Sequence, residues 1–246
     1  MLKLKNILFA AGLVLLFGFY LGRGNKPSSD TPVALVKKIV KDVTYRPASD
    51  VSDWDAAKVG LPLNNGGEVK TGTKSLALVL FTDGSGLLKV RENSILHIYG
   101  EKKDKKLNKN TFIQKGLVGF DVNKQEEDEE FKFTTPSVVA SIRGTNGFIE
   151  HNDLDSITTI FIERGDVGFI TSNGSEGNVG SRRTARINPN GTFHVDSASV
   201  QDTTTFHRTN RTTIKKIKIQ TRFGELEIEY EEQENGLLNG RRNREE

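Results

Sequence analysis

Apolar residues along this chain come in short bursts broken by glycine- and aspartate-containing turns, the rhythm of a strand-rich protein. Residues 76–81 are a continuous apolar run, suited to a strand buried on both faces. Thr82-Asp83-Gly84-Ser85-Gly86 follows, and residues 87–90 are largely apolar again. An Asp-Gly step between two apolar runs is a strong hairpin signal, because the tight turn requires positive φ. Over residues 95–99, Ile95, His97 and Tyr99 fall on one face and Leu96 and Ile98 on the other. A charged loop at 101–106 is expected to end that strand. Apolar stretches recur at 112–122 around Gly116 and Gly119, at Phe131-Lys132-Phe133, and at 138–142, 147–151, 157–163 and 167–171. Between them, the acidic run 126–130 reads as a solvated loop. Residues 184–187 and 193–195 flank the turn Asn188-Pro189-Asn190-Gly191. The apolar positions of 33–43 fit a strand or a short helix, and their Val and Ile content favours strands. The expectation is an all-β fold, an antiparallel or rolled β-sandwich-like domain over residues 32–195.

The two ends differ from this body. Lys3 and Lys5 precede a run, residues 7–21, that carries no charge and is nearly all apolar. A short basic region ahead of such a run is the layout of an export signal. No clean small-x-small cleavage pattern follows it. Residues 1–22 are therefore read as a signal anchor, an N-terminal membrane helix, with a cleaved signal peptide as the alternative; residues 23–31 are a linker. The anchor reading places the protein in the inner membrane as a single-pass chain, N-terminus inside and body periplasmic or otherwise extracytoplasmic. Cleavage would instead release a secreted or periplasmic protein.

After the body, residues 196–213 are polar and read as a linker or loop. Residues 214–230 read as a C-terminal β-hairpin turning near Gly224, and residues 231–246 as a disordered tail. The hairpin's charges segregate: 208–222 carry only positive charge and 225–234 only negative. Pairing the strands would bring Lys215, Lys216 and Lys218 near Glu225, Glu227 and Glu229, each exposed pair contributing about 0.2–1 kcal/mol.

Composition narrows the chemistry. With no cysteine, the chain has no disulfide, no thiolate metal site and no lipidated cysteine. The formal charge is +3, two units of which are Lys3 and Lys5, so no basic field argues for nucleic acid. The histidines His97, His151, His194 and His207 lack metal-ligand spacing, and no G-x-S-x-G occurs. Ser85 sits on a tight turn with no evident base, and Asp153 and Asp155 fall in a segment too short for a calcium loop. No catalytic residue, metal or cofactor is expected. Arg182, Arg183 and Arg186 form a basic cluster with no acid between 181 and 195. They are candidates for a polyanion contact, or for charges that keep a strand edge from pairing.

Several segments, in order, resemble the FecR domain of bacterial envelope proteins over about residues 54–192. Trp54-Asp55-Ala56-Ala57-Lys58-Val59-Gly60 and Glu68-Val69-Lys70-Thr71-Gly72 are similar to the family's opening, with Glu68 where the family often has Asp. Phe81-Thr82-Asp83-Gly84-Ser85 resembles its hairpin, Glu92-Asn93-Ser94 its next turn with Ser for Thr, and Lys115-Gly116-Leu117-Val118 its following strand. Phe133-Thr134-Thr135-Pro136, Ile142-Arg143-Gly144-Thr145 and the segment to Val167 containing Gly165 complete the series. The resemblance implies an all-β envelope module in which Thr71, Gly72, Asp83, Gly84, Ser85, Arg143, Gly144, Thr145 and Gly165 are structural positions. It implies a non-enzymatic role. The family's namesake senses an outer-membrane transducer and regulates a sigma factor. Only about six residues precede the apolar run here, so the chain reads as a stand-alone FecR-domain protein. The expected function is interaction or sensing through an envelope protein partner. A module for cell-wall glycan or another polymer is the alternative. The membrane contact is assigned to residues 7–21.

Overall fold

A computed structural model describes residues 32–47, 53–103, 106–124, 129–221 and 224–233. The expected anchor at 1–22, the linker at 23–31, most of the acidic run at 126–130 and most of the expected tail lie outside these residues. The described part of the chain is built of strands with one helix.

Two sheets form the body. One runs, in spatial order, β4 (Pro62–Leu63), β1 (Ala34–Val40), β6 (Leu76–Phe81), β7 (Gly86–Val90), β9 (Lys106–Val122), β12 (Asn146–His151), β13 (Thr158–Arg164), β16 (Arg183–Ile187) and β17 (Phe193–Ser197). We call it sheet A. Sheet B runs β3 (Asp55–Ala56), β2 (Val43–Arg46), β5 (Gly67–Thr71), β8 (Ile95–Lys103), β9 again, β10 (Phe131–Thr134), β11 (Val138–Ile142), β14 (Asp166–Thr171) and β15 (Glu176–Gly180). All pairings are antiparallel except β9 with β10. The ambiguous segment at 33–43 is thus extended, and the charged residues after Tyr99 prolong β8 rather than end it.

Strand β9 belongs to both sheets. Its first half pairs with β8 and β10, and its second half with β7 and β12. The change of sheet occurs at Gly116, which adopts φ +94°. A Cβ there would lie 2.2 Å from Ser94 Oγ and 2.6 Å from Ser94 Cα, so only glycine fits. Ser94 Oγ accepts the Leu117 N–H at 3.1 Å and completes the bend.

The core lies between the inner faces. Val69, Leu96, Ile98, Ile113, Phe131 and Phe133 come from sheet B, and Val79, Phe81, Leu88, Phe120, Ile149 and Ile160 from sheet A. At one end, a buried hydroxyl cluster replaces apolar packing. Thr158 Oγ1 lies 2.7 Å from Ser137 Oγ, 3.0 Å from Thr135 Oγ1 and 2.9 Å from His151 Nδ1. Burial holds the pKa of His151 below its ordinary value, against the pull of Asp153 and Asp155.

The stretch at 196–213 is not a linker. Strand β17 extends to Ser197, helix α1 spans Val200–Thr209, and β18 (Arg211–Thr221) starts directly afterwards. A capping box begins the helix: Ser199 Oγ accepts the Asp202 N–H at 3.1 Å, and the Asp202 carboxylate accepts the Ser199 N–H at 2.9 Å. Its sequence, with three consecutive threonines, has poor helix propensity, so tertiary contact sustains it. That contact is the outer face of sheet A, where Phe206 joins Phe148, Phe161 and Leu117 in a second apolar cluster. Arg186 Nη2 pairs with Asp202 Oδ1 at 2.7 Å, and Arg91 Nη1 donates to Arg211 O at 2.7 Å.

The C-terminal hairpin is present and longer than expected, β18 pairing with β19 (Gly224–Gln233). Residues 231–233, assigned to the tail, continue β19. Lys216 is opposite Glu229 and Lys218 opposite Glu227, as the charge pattern suggests; Lys215 is opposite Tyr230.

Phe206→Ala should cost about 3 kcal/mol in chemical denaturation, because it empties the centre of the outer cluster. Amide exchange in α1 should then accelerate more than exchange in β9.

Candidate functional site

The family-motif residues gather into two knots of backbone and side-chain bonds. In the first, Thr71 Oγ1 donates to Arg91 O and accepts the Ser94 N–H at 3.0 Å. Gly72 N–H donates to Asp42 O at 2.9 Å, and a Cβ on Gly72 would come within 3.1 Å of Asp42 Cβ. This knot lies beside the bend at Gly116.

The second knot joins turns distant in sequence. Gly84 takes φ +71° in the hairpin turn between β6 and β7, and Asp83 Oδ1 accepts the Ser85 N–H at 3.0 Å. Asn123, just past β9, donates its Nδ2 to Gly84 O and its N–H to Ser85 O, both at 2.9 Å. Its own carbonyl accepts the Gly144 N–H at 3.2 Å, and Thr145 O accepts the Val122 N–H at 3.0 Å. Thr145 is fully buried and packs against Gly165, where a Cβ would lie 2.5 Å from Thr145 Cγ2. Arg143 is exposed on the outside of this turn. The two turns therefore meet through Asn123, a residue that the motif reading did not single out.

Asp83 also anchors a buried cation. Lys109 has no exposed side-chain surface, and its Nζ lies 2.6 Å from Asp83 Oδ2 and 5.9 Å from the centre of the Phe131 ring. Burial raises the Asp83 pKa, but the bonds from Lys109 and Ser85 outweigh it and hold the carboxyl below its ordinary value.

The arginine cluster is split among different tasks. Arg182 sits in a turn at φ +57°, Arg183 Nη2 donates to Val195 O at 3.0 Å, and Arg186 is bound to Asp202 of α1. All three retain exposed surface.

Sequence reasoning missed the outer face of sheet B. Its register sets Arg46, Glu68, His97, Phe112, Thr134, Val139, Ile170 and Glu176 opposite one another across eight strands. At one end, Arg46 Nε donates to Glu68 Oε2 at 3.1 Å, and the Arg46 guanidinium stacks 4.5 Å from the Trp54 ring centre. Glu68 is fully buried, yet its Oε1 has no hydrogen bond and lies 3.4 Å from His97 Nδ1. A proton on that nitrogen would let His97 donate towards Glu68. Towards the other end, Val139 is 38% exposed and Ile170 is 52% exposed. Strand alternation puts these residues on one face, and no element among the described residues covers them.

Clefts open at the surface among the described residues. One of about 250 Å3 contains Glu150, His151, Asp153 and Arg208. Burial raises the Glu150 pKa, against the pull of Arg208. Nδ1 of His151 is committed to Thr158, and Asp153 is paired with Lys115 at 2.9 Å. Among the described residues, no group of three or more His, Asp or Glu could hold a metal. Another cleft, of about 560 Å3, lies at the β8–β9 end of sheet B.

Asp83→Asn should destabilise the protein by about 3 kcal/mol in urea, since it leaves Lys109 buried without its counter-charge. Lys109→Met should cost less than half as much, because the partly exposed Asp83 can be hydrated. The contribution of Asp83 is complete above the ordinary value of 3.8 and is lost as pH falls below it. Denaturation at pH 7 and pH 3 should show a smaller acid-side loss in Asp83→Asn than in the wild type, the remainder coming from carboxylates such as Asp202 whose pKa is also lowered.

Two crystal structures from Parabacteroides distasonis ATCC 8503, provisionally described as an anti-sigma factor, are similar to this chain at 14% identity, with TM-scores of 0.48 and 0.47. The similarity covers 56% of this chain and 62% of each of those, less than two thirds of their length. No curated protein matches the chain. The family model described as FecR protein matches residues 67–168, from β5 into β14, a narrower span than the 54–192 expected from the motifs. That span holds the Asp83-Gly84-Ser85 and Arg143-Gly144-Thr145 turns and the Asn123 between them, and it belongs to the FecR family.

Proposed function

We propose that this chain is an exported, membrane-tethered, non-catalytic β-domain that acts as a protein-interaction or sensing module in the bacterial cell envelope. Residues 7–21 would hold it in the inner membrane with its N-terminus inside. The FecR match supports a sensing role rather than a chemical one.

The observation that carries the reading is the difference between the two outer faces. Helix α1 covers sheet A with Phe206 and an Arg186–Asp202 pair. Among the described residues, nothing covers Val139 and Ile170, which are direct cross-strand neighbours on sheet B. Phe112 lies in the same row, and charged residues occupy both of its ends. An apolar centre with a polar rim is the anatomy of a protein contact. The partner we infer is an envelope protein with a complementary apolar surface.

A photo-crosslinking residue placed at 139 or 170 in the full chain should capture the same envelope protein. The same probe at Leu154, which is 92% exposed in the turn between β12 and β13 of sheet A, serves as the control. Ile170→Glu, combined with the probe at 139, should lower the yield at least tenfold, about 1.4 kcal/mol of binding or more. Equal capture from all three positions, or none from 139 and 170, would overturn the reading. Recovery of cell-wall fragments in place of a protein would move it to the polymer-binding alternative.

A further inference from the structure

The cleft at the β8–β9 end of sheet B has its own chemistry. Its volume of about 560 Å3 falls within the range of small-ligand sites, about 300–1,000 Å3. Tyr99 forms part of the wall, its ring nearly parallel to that of His97 (8° between planes, centres 6.4 Å apart). Three asparagines face it from two places in the chain: Asn65 from the turn before β5, and Asn108 and Asn110 from β9.

Hydrogen bonding fixes how these amides point. Asn65 Oδ1 accepts the Gly100 N–H at 3.1 Å, and Asn108 Oδ1 accepts the Glu130 N–H at 3.2 Å. A backbone N–H can only donate, so the oxygen of each amide must be the end that faces it. Asn110 Oδ1 accepts from Thr134 Oγ1 at 2.9 Å. The amides of Asn65 and Asn108 are therefore held by their oxygens, and the Nδ2 of each, with two N–H donors, has no partner among the described residues, while the Thr134 hydroxyl can meet either end of the Asn110 amide. Acceptors stand beside these donors in the carboxylates of Glu101 and Glu130.

The charge balance selects the ligand class. Lys132 lines the cleft but is paired with Glu130 at 2.7 Å, and Lys109 directs its ammonium inward to Asp83. Among the described side chains that line the cleft, no free cation cluster draws a phosphate or an acidic polymer, and the walls are too polar for a lipid tail. Fixed amide donors, neighbouring acceptors and an aromatic ring suit a ligand whose hydroxyls both donate and accept and whose C–H face packs on a ring. We propose that this cleft is a subsite for a short stretch of neutral polysaccharide. It is open rather than enclosed, which suits a chain crossing it. The inference goes beyond the protein contact proposed above and uses different residues.

The test is a titration of the full, isotope-labelled chain in detergent with chitotetraose, and in parallel with cellotetraose, followed through the side-chain amide signals of Asn65, Asn108 and Asn110. We expect saturable shifts confined to these amides and the Tyr99 ring with at least one oligosaccharide, at a Kd of about 1 mM or tighter. Tyr99→Ala should weaken binding at least fivefold. Asn108→Asp should do the same while keeping an oxygen for the Glu130 N–H, so it tests the Nδ2 donors even if Tyr99→Ala fails to fold. No saturable shift with either oligosaccharide, or shifts left unchanged in Asn108→Asp, would overturn the proposal. So would stronger binding of hexametaphosphate through the same amides.

Discussion

The bend of β9 at Gly116 is the constraint on which the rest of the fold depends. A strand of this length would ordinarily continue within one twisted sheet. Here its halves hydrogen-bond to different neighbours, and the crossing point admits no side chain because Ser94 occupies the space. Ser94 in turn is fixed by Thr71, whose hydroxyl also closes on Arg91 O. One glycine and two hydroxyls thus set where sheet B becomes sheet A. With that joint in place, the inner faces oppose each other, and successive strand pairs can be added to either sheet around a shared core.

Within that frame, the buried polar groups specify arrangement more than they add stability. Replacing a buried ion pair with apolar residues is often neutral or favourable, whereas removing one partner is costly. Lys109 with Asp83 holds the hairpin turn over the interior, and Asn123 then ties this turn to the Gly144–Thr145 turn. The Thr158 hydroxyl cluster similarly connects the β10–β11 turn of sheet B to β12 and β13 of sheet A. Each connection joins segments far apart in sequence, so each restricts the ways the strands can be paired.

Much of the strand pattern was legible because it rests on local signals. The continuous run of β6, the Asp-Gly turn after it and the Phe131-Lys132-Phe133 alternation carry their periodicity in adjacent residues. The motif glycines were legible as turns, since Gly84, Gly144 and Gly165 all take positive φ. Helix α1 was obscured because its threonines favour other conformations and Phe206 is its one large buried apolar residue. The Ser199-to-Asp202 spacing was the available clue, a capping box lying in a stretch that otherwise reads as polar loop. The arginine cluster read from its spacing loses Arg186 to that same helix. Glu68 gives no sign of its burial, because the Arg46 that neutralises it and the Trp54 that covers Arg46 come from elsewhere in the chain.

The helix decides the surface as well as the fold. A sandwich of two equivalent outer faces has no preferred side for a partner. By placing α1 over Phe148 and Phe161, the chain uses the apolar part of one face internally and leaves Val139 and Ile170 on the other. The hairpin that follows α1 pairs with no strand of the body, and in its register Ile217 is opposite Ile228 and Ile219 opposite Leu226. Those four positions share one face of the ribbon, while Lys216, Glu229, Lys218 and Glu227 share the other. Val139 and Ile170, paired across β11 and β14, thus form the exposed apolar step that α1 leaves open on sheet B.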